Sequence, residues 1–150
     1  MTINRDMSNE NEIEDSVRVG TGVWIFKDGK VLLGKRKGNL AGGEYANPGG
    51  HFEYMESLEE SIRREIREET GLEVENVRFA FLQNVKAYAP RHYVGINFVA
   101  DWKSGEPTVM EPEKCESWDW YALDALPEPL FATVKSFLEM QKTGRNFFDA

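Results

Sequence analysis

The sequence predicts an α+β domain in which a mixed or antiparallel sheet packs against two helices. Runs of aromatic and β-branched residues, typical of strands, occupy much of the chain between residues 18 and 121. A capped amphipathic helix interrupts them near residue 58, and a second helical pattern follows the last strand-like run. The chain has 150 residues, 41% of them hydrophobic, so it suits one domain with its own core.

The first predicted element is a β-hairpin. Residues 18–26 and 30–36 are apolar runs joined by Lys27-Asp28-Gly29, and Asp-Gly between apolar runs is a strong hairpin signal. We expect the two strands to pair antiparallel. The glycine-rich residues 38–50 that follow predict a loop, with a short strand at 45–47.

The second predicted element is a helix over residues 58–70. Ser57 is the expected N-cap, because Glu60 three residues later completes a capping box. Gly71 is the expected C-cap.

The rest of the chain predicts three more strands and a closing helix. The strands are expected at residues 77–89, 92–102 and 116–121, and the helix at 130–141. Residues 1–16 form a polar, acidic leader that we expect to be disordered. This division leaves a domain of residues 17–143 and a tail of residues 144–150.

Charge and composition exclude several kinds of partner. The formal charge of −8 argues against binding to a nucleic-acid polymer, which needs a basic surface. No apolar run approaches the roughly 20 residues of a membrane span, so no membrane partner is expected. The single cysteine, Cys115, permits no internal disulfide and suits a cytoplasmic location.

The predicted helix at 58–70 divides its acids between two faces. At about 100° per residue, Glu65 and Glu69 continue the apolar stripe of Leu58, Ile62 and Ile66. Both glutamates are therefore expected to face inward, with Glu68 beside them. The opposite, solvated face carries Glu59, Glu60, Arg63 and Arg67.

Carboxylates crowded on one face repel each other unless a cation joins them. Ligands that are all oxygen favour Mg²⁺, with Mn²⁺ as the alternative. Arg64, four residues before Glu68, is placed to orient that carboxylate by a charge-assisted hydrogen bond. The competing interpretation is an ordinary surface helix laced with Glu-Arg pairs.

The spacing of these residues resembles the Nudix box, the signature of hydrolases that cut a diphosphate linked to another moiety. The pattern has Gly50, then Glu56, Arg64-Glu65, Glu68-Glu69 and Gly71. Further segments, at 34–38, 47–57, 92–94, 110–120 and 126–131, resemble MutT-like Nudix hydrolases close to the eukaryotic nucleotide triphosphate diphosphatase 15 and plant Nudix hydrolase 1.

This resemblance implies a fold, a reaction and a set of site residues. The fold would be an α/β/α sandwich around a mixed sheet. The reaction would be Mg²⁺-dependent hydrolysis of nucleoside triphosphates, including oxidised ones such as 8-oxo-dGTP, to a monophosphate and pyrophosphate. Glu65 and Glu69 would be the principal metal ligands, and Glu68 a further ligand or the catalytic base.

Other residues would complete the site. The backbone carbonyl of Gly50 would approach the metal, and Glu111 or Glu113 would supply a carboxylate from outside the box. The predicted substrate-binding residues are Lys35, Arg36, Asn47, Gly49, Gly95 and Phe131.

Four departures from the related sequences leave the substrate open. They are Asn47 in place of Leu, Met55 in place of Gly, Gly95 in place of Thr or Ser, and Ala132 in place of Trp. A prenyl diphosphate, a pterin triphosphate or a nucleotide sugar is therefore an alternative substrate, and a non-catalytic nucleotide-binding module is an alternative function. Related proteins are often dimers, so the resemblance also raises a homodimer.

Overall fold

An eight-stranded mixed sheet runs through the protein, with one helix against each of its faces. The computed structural model describes residues 16–149, so the predicted leader lies outside the described residues apart from Ser16. The elements follow the order β1 (Val17–Lys27), β2 (Lys30–Arg36), β3 (Tyr45–Ala46), β4 (Gly49–His51), α1 (Leu58–Thr70), β5 (Glu73–Val85), β6 (His92–Ser104), β7 (Cys115–Ala122), α2 (Ala132–Thr143) and β8 (Phe147–Phe148).

The central strand β1 gives the sheet its mixed character. It runs parallel to β6 over its whole length, and its first half also pairs antiparallel with β4. On one side β6 pairs antiparallel with β5, which pairs parallel with β8; on the other side β2 pairs with β3 and β7. The predicted mixed sheet is confirmed.

The predicted hairpin is confirmed at its tip. Asp28 and Gly29 have φ angles of 51° and 77°, the left-handed conformation that a tight hairpin turn requires at both positions. Only Phe26 with Val31 and Lys27 with Lys30 pair across the hairpin. Beyond this tip the strands separate, because β1 is engaged by β4 and β6 while β2 pairs with β7.

Alternate residues of β1 supply the two hydrophobic cores. Val23 and Ile25 pack with Ile62 and Ile66 of α1 on one face of the sheet. Trp24, between them in sequence, packs on the other face, where its ring stacks on Phe137 of α2 at 3.9 Å. The result is the predicted three-layer α/β/α sandwich. No helix among residues 16–149 is long and apolar enough to cross a membrane.

Helix α1 has the predicted limits and caps. The Ser57 side chain accepts a hydrogen bond from the Glu60 N–H at 3.1 Å, and the Glu60 carboxylate accepts one from the Ser57 N–H at 2.8 Å. Gly71 ends the helix with φ of 73°. The prediction for Arg63 is corrected: it is half-buried rather than fully solvated, because its guanidinium donates to the Val74 carbonyl at 2.7 Å and ties α1 to β5.

Other elements differ from their predicted limits. Strand β5 begins at Glu73 rather than residue 77, because the chain enters the sheet directly after the Gly71 cap. Helix α2 begins at Ala132 rather than residue 130, because Phe131 is extended and its N–H donates to the Tyr45 carbonyl. Strand β4 and strand β8 were not predicted.

Candidate active site

Helix α1 delivers two acidic side chains to the edge of the core. Ile62 and Ile66 are fully buried, and Glu65, on the same side of the helix, is only 8% exposed. A buried hydrogen bond of 3.0 Å between the hydroxyls of Ser61 and Thr21 fixes the helix against β1. The next turn carries Glu69, which is half-buried. Both carboxylates therefore face the sheet, as the helical wheel predicts.

Two consecutive glycines of β4 receive these carboxylates. A Cβ atom on Gly50 would lie 2.5 Å from the carboxylate of Glu65, so only glycine leaves room for that side chain. The Gly49 N–H donates to Glu69 Oε2 at 2.9 Å. The Gly-Gly pair thus acts as the platform for both acids. A contact between the Gly50 carbonyl and a metal, and one between Gly49 and substrate, stay predictions.

Arg64 joins the acids of this region into one network. Its guanidinium donates to Glu65 at 2.8 Å, to Glu68 at 3.2 Å, and twice to Glu56, at 2.8 and 3.0 Å. The predicted contact with Glu68 is present, and the contacts with Glu56 and Glu65 are shorter. Arg64 therefore orients three carboxylates that belong to α1 and to the loop before it.

The pKa values of the two inward acids are raised. Burial raises the pKa of Glu69 to about 8, with added repulsion from Glu65 and Glu111, although the Gly49 N–H opposes the change. Burial also raises the pKa of Glu65, against the opposing effect of Arg64. Each acid would gain from a nearby cation, because a positive charge offsets the cost of holding a buried carboxylate ionised.

The residues present fit a divalent ion by their chemistry. Three carboxylates that influence one another, those of Glu65, Glu69 and Glu111, form the all-oxygen set that Mg²⁺ and Mn²⁺ prefer. Within residues 16–149 no three acidic, histidine or cysteine side chains converge on one point as they stand. Arg64 Nη1 donates to both Glu65 and Glu68, and the Gly49 N–H donates to Glu69, so these side chains would exchange their present partners to adjust around an ion.

The loop before β7 carries Glu111 and Glu113, the two alternative acids of the sequence analysis, in different surroundings. Glu111 is half-buried and its charge acts on both Glu65 and Glu69. The Met110 N–H bonds to the Glu69 carbonyl at 3.4 Å, which docks the loop on the end of α1. Lys114 pairs with Glu111 at 3.1 Å, whereas Glu113 is exposed. The geometry therefore favours Glu111 as the acid from outside the helix.

A second group of side chains lies beside the acids. The Arg36 guanidinium lies 4.9 Å from the centroid of the Phe131 ring, within reach of a cation–π interaction, and its charge acts on Glu69. Lys35 instead pairs with Glu116 of β7 at 3.5 Å. The structure thus brings together Arg36 and Phe131 but gives Lys35 a different partner.

The remaining predicted substrate residues line the sheet beside this group. Asn47 donates to the carbonyls of Val23 and Pro48, and its Oδ1 accepts from the Thr133 hydroxyl at 3.4 Å. Gly95 of β6 lies opposite Gly20 of β1. A Cβ on Gly95 would lie in van der Waals contact with the Asn97 side chain at 3.4 Å and the Gln83 carbonyl at 3.8 Å.

Several polar residues near this surface were not predicted. Tyr88 stacks on Phe131, Asn97 is 2% exposed, and Gln83 Oε1 is buried with no hydrogen-bond partner among the described residues. Asn97 and Gln83 lie inside strand-like runs, where alternation alone marks them as polar. The pairing of Tyr88 with Phe131 joins residues 43 positions apart, and no local pattern indicates it.

Comparison with known proteins finds a matching domain family and similar solved structures. The model of the NUDIX domain matches residues 16–141. A MutT NUDIX hydrolase from Burkholderia pseudomallei superposes with a TM-score of 0.79 and 37% identity, over 83% of this chain and 98% of that one.

Two curated relatives have similar identity but are longer. The NAD-capped RNA hydrolase NudC of Chromobacterium violaceum is 35% identical over 103 residues, 69% of this chain and 37% of the relative. The ADP-ribose pyrophosphatase of Methanocaldococcus jannaschii is 36% identical over 108 residues, 71% of this chain and 63% of the relative. The chain therefore spans little more than a third of the NudC relative.

Proposed function

The chain belongs to the NUDIX family, and on that premise we propose that it is a divalent-metal-dependent hydrolase of nucleoside triphosphates, releasing a monophosphate and pyrophosphate. The observation that carries this proposal is the pair Glu65 and Glu69. Both carboxylates come from one helix and are held against Gly49-Gly50 with raised pKa values. Burying an ionised carboxylate costs free energy unless a cation binds to it.

The acids have distinct proposed roles. Glu65, Glu69 and Glu111 would hold the ion, together with the Gly50 carbonyl. Glu68 is more exposed, with 54% of its side chain accessible, and Arg64 holds it at 3.2 Å, which suits a base that exchanges protons with water. When bound, the ion lowers the pKa of a coordinated water and offsets charge on the phosphate oxygens.

The nucleotide part of the substrate, called the head group below, is proposed to lie beside the acids, against Arg36 and Phe131. The Arg36 guanidinium lies over the Phe131 ring and its charge acts on Glu69, so that charge is available to a phosphate oxygen or to the edge of a base. Asn47 and Gly95 form the adjoining sheet surface. Oxidised nucleotides such as 8-oxo-dGTP belong to the proposed substrate class.

A second candidate is a nucleotide sugar, in which the same chemistry cuts a diphosphate between a nucleoside and a sugar. The ADP-ribose pyrophosphatase relative, 36% identical and matched over 63% of its length, favours this candidate. A non-catalytic nucleotide-binding module is disfavoured, because such a module has no need to bury two acids beside a third.

Analysis of the products from a substrate panel tests the proposal: pyrophosphate from a nucleoside triphosphate, AMP from ADP-ribose and phosphate from a prenyl diphosphate. The panel contains nucleoside triphosphates with 8-oxo-dGTP, ADP-ribose and a prenyl diphosphate, each with Mg²⁺ or Mn²⁺. We expect nucleotide hydrolysis that chelation abolishes and that Glu65→Gln and Glu69→Gln each reduce by about 10- to 100-fold or more. If only the prenyl diphosphate is hydrolysed, the proposal of a nucleotide substrate is wrong.

Glu59→Gln is the matched control for these variants. Glu59 lies on the exposed face of α1, where it pairs with Arg63 at 2.9 Å, so its substitution is expected to leave the rate within about twofold. Equal rates for Glu65→Gln, Glu59→Gln and wild type would refute the proposed role of the inward acids.

A further inference from the structure

Tyr88 connects three separate segments through one side chain. It lies between β5 and β6, is half-buried, and stacks on Phe131 with ring centroids 4.8 Å apart and planes 9° apart. Its hydroxyl donates to Glu44 Oε2 at 2.8 Å, and its oxygen accepts from the Ala132 N–H, also at 2.8 Å. The loop before β3, the β5–β6 connection and the start of α2 therefore meet at this phenol.

The contact with Ala132 supplies a cap that α2 otherwise lacks. The N-cap residue is Phe131, whose side chain makes no capping hydrogen bond. The first N–H groups of a helix have no partner within the helix, so the Tyr88 oxygen satisfies one of them. This hydrogen bond fixes the Tyr88 phenol relative to the axis of α2. Phe131 immediately precedes Ala132, so its ring is fixed relative to the phenol as well.

Phe131 is held from a third direction by the strand β3. Its N–H donates to the Tyr45 carbonyl at 2.9 Å, next to Glu44 in sequence. The Arg36 guanidinium also lies against the Phe131 ring. The ring is thus located by a stacked partner, a backbone bond and a cation, and Tyr88 contributes both the stack and the hydrogen bonds that keep the stack in register.

We propose that Tyr88 is a positioning residue: its hydroxyl, through Glu44 and the α2 N-terminus, sets the Phe131 ring that holds the substrate head group. This inference rests on the proposed function, since it takes Phe131 and Arg36 as contacts of the substrate. Tyr88 itself acts through Phe131. Its loss therefore weakens binding of the head group and leaves the hydrolytic step at the acids unchanged.

Tyr88→Phe separates the hydroxyl from the ring. This variant keeps the stacked ring and removes both hydrogen bonds. For nucleotide hydrolysis we expect KM to rise roughly three- to tenfold, the effect of one or two lost hydrogen bonds, with kcat within about twofold. Glu44→Ala should reproduce this change, and Glu44→Gln, which keeps an acceptor oxygen for the phenol, should restore the wild-type KM.

Tyr121→Phe is the matched control, because Tyr121 is also half-buried but lies on β7. Its KM should equal that of wild type. Thermal unfolding of each variant accompanies the kinetics. A purely structural role predicts a lower Tm with an unchanged KM for Tyr88→Phe, and that result would overturn the inference, as would a fall in kcat alone.

Isothermal titration calorimetry measures the binding of GMP and AMP without turnover. This measurement keeps the inference distinct from the proposed function. If wild type binds GMP but hydrolyses no nucleotide, the proposed function fails, and a three- to tenfold weaker binding by Tyr88→Phe still supports the positioning role. If GMP and AMP bind wild type and Tyr88→Phe equally, or bind neither, the positioning role is wrong.

Discussion

At the scale of single residues, the absence of a side chain at residue 50 decides where an acid lies. Glu65 leaves the helix toward the sheet, and its carboxylate occupies the volume that a Cβ on Gly50 would fill. Gly49 contributes an N–H to Glu69. Space and one hydrogen bond thus arrange two carboxylates that would otherwise remain in water, where their charged forms are better solvated.

Gly50→Ala is expected to impair both folding and catalysis. Its methyl group would meet the Glu65 carboxylate at 2.5 Å, and overpacking of this kind costs about 1–3 kcal/mol. Urea unfolding measures the first effect and nucleotide hydrolysis the second. In the control Gly20→Ala, the nearest atom to the added methyl is the Gly50 carbonyl oxygen, 3.5 Å away, so little change in the free energy of unfolding is expected. Equal effects of the two variants would contradict the steric argument.

At the scale of elements, an ion pair holds the loop after β4 onto α1. Glu56 precedes the helix, and its carboxylate accepts two hydrogen bonds from Arg64, one turn and more into the helix. It also accepts the Glu53 N–H at 2.9 Å, which closes the loop on itself. The same guanidinium reaches Glu65 and Glu68, so it links the loop to the acid face of the helix.

The stability that this pair provides is expected to vanish in acid. The hydrogen bond from Arg64 lowers the pKa of Glu56 from 4.5 to about 2. Because the folded-state pKa lies below the unfolded one, the contribution is complete above pH 4.5 and disappears as the pH falls toward 2. Thermal unfolding of wild type and Glu56→Gln should therefore differ at pH 6 and converge near pH 2. A difference that is the same at both pH values would contradict this assignment.

At the scale of the whole molecule, two cores meet along β1, and each one positions part of the candidate site. The core under α1 positions the acids, and the core under α2 positions Phe131 and, through it, Arg36. The acids thus depend on one core and Phe131 on the other. Strand β8 completes the α2 side, where Phe148 packs on Phe81 with ring centroids 5.5 Å apart.

Phe148→Ala is expected to destabilise the fold although it lies near the end of the chain. Phe148 is 9% exposed whereas its neighbour Phe147 is 57% exposed. Removing a buried phenylalanine costs about 3 kcal/mol or more, while a surface substitution such as Phe147→Ala costs about 0.5 kcal/mol or less. Urea unfolding of the two variants makes the comparison. Similar stabilities would show that β8 contributes nothing to the core.

Elements whose signals are local could be predicted from the amino-acid sequence. The caps of α1 depend on Ser57, Glu60 and Gly71, which act within one turn of the helix, and the hairpin turn depends on Asp28-Gly29. The inward direction of Glu65 and Glu69 follows from helical periodicity. Closeness to the nucleotide triphosphate diphosphatase 15 group, the homodimer, the cytoplasmic location and the domain limits stay predictions.

The three-dimensional packing of the chain determines which distant residues meet. It distinguished Glu111 from Glu113, gave Lys35 a partner on β7, and brought Tyr88 from one loop to Phe131 at the start of α2. It also paired Phe147–Phe148 with β5. Such contacts depend on how the sheet is ordered and how loops close over it, and that order is set by packing across the whole chain rather than by any short run of residues.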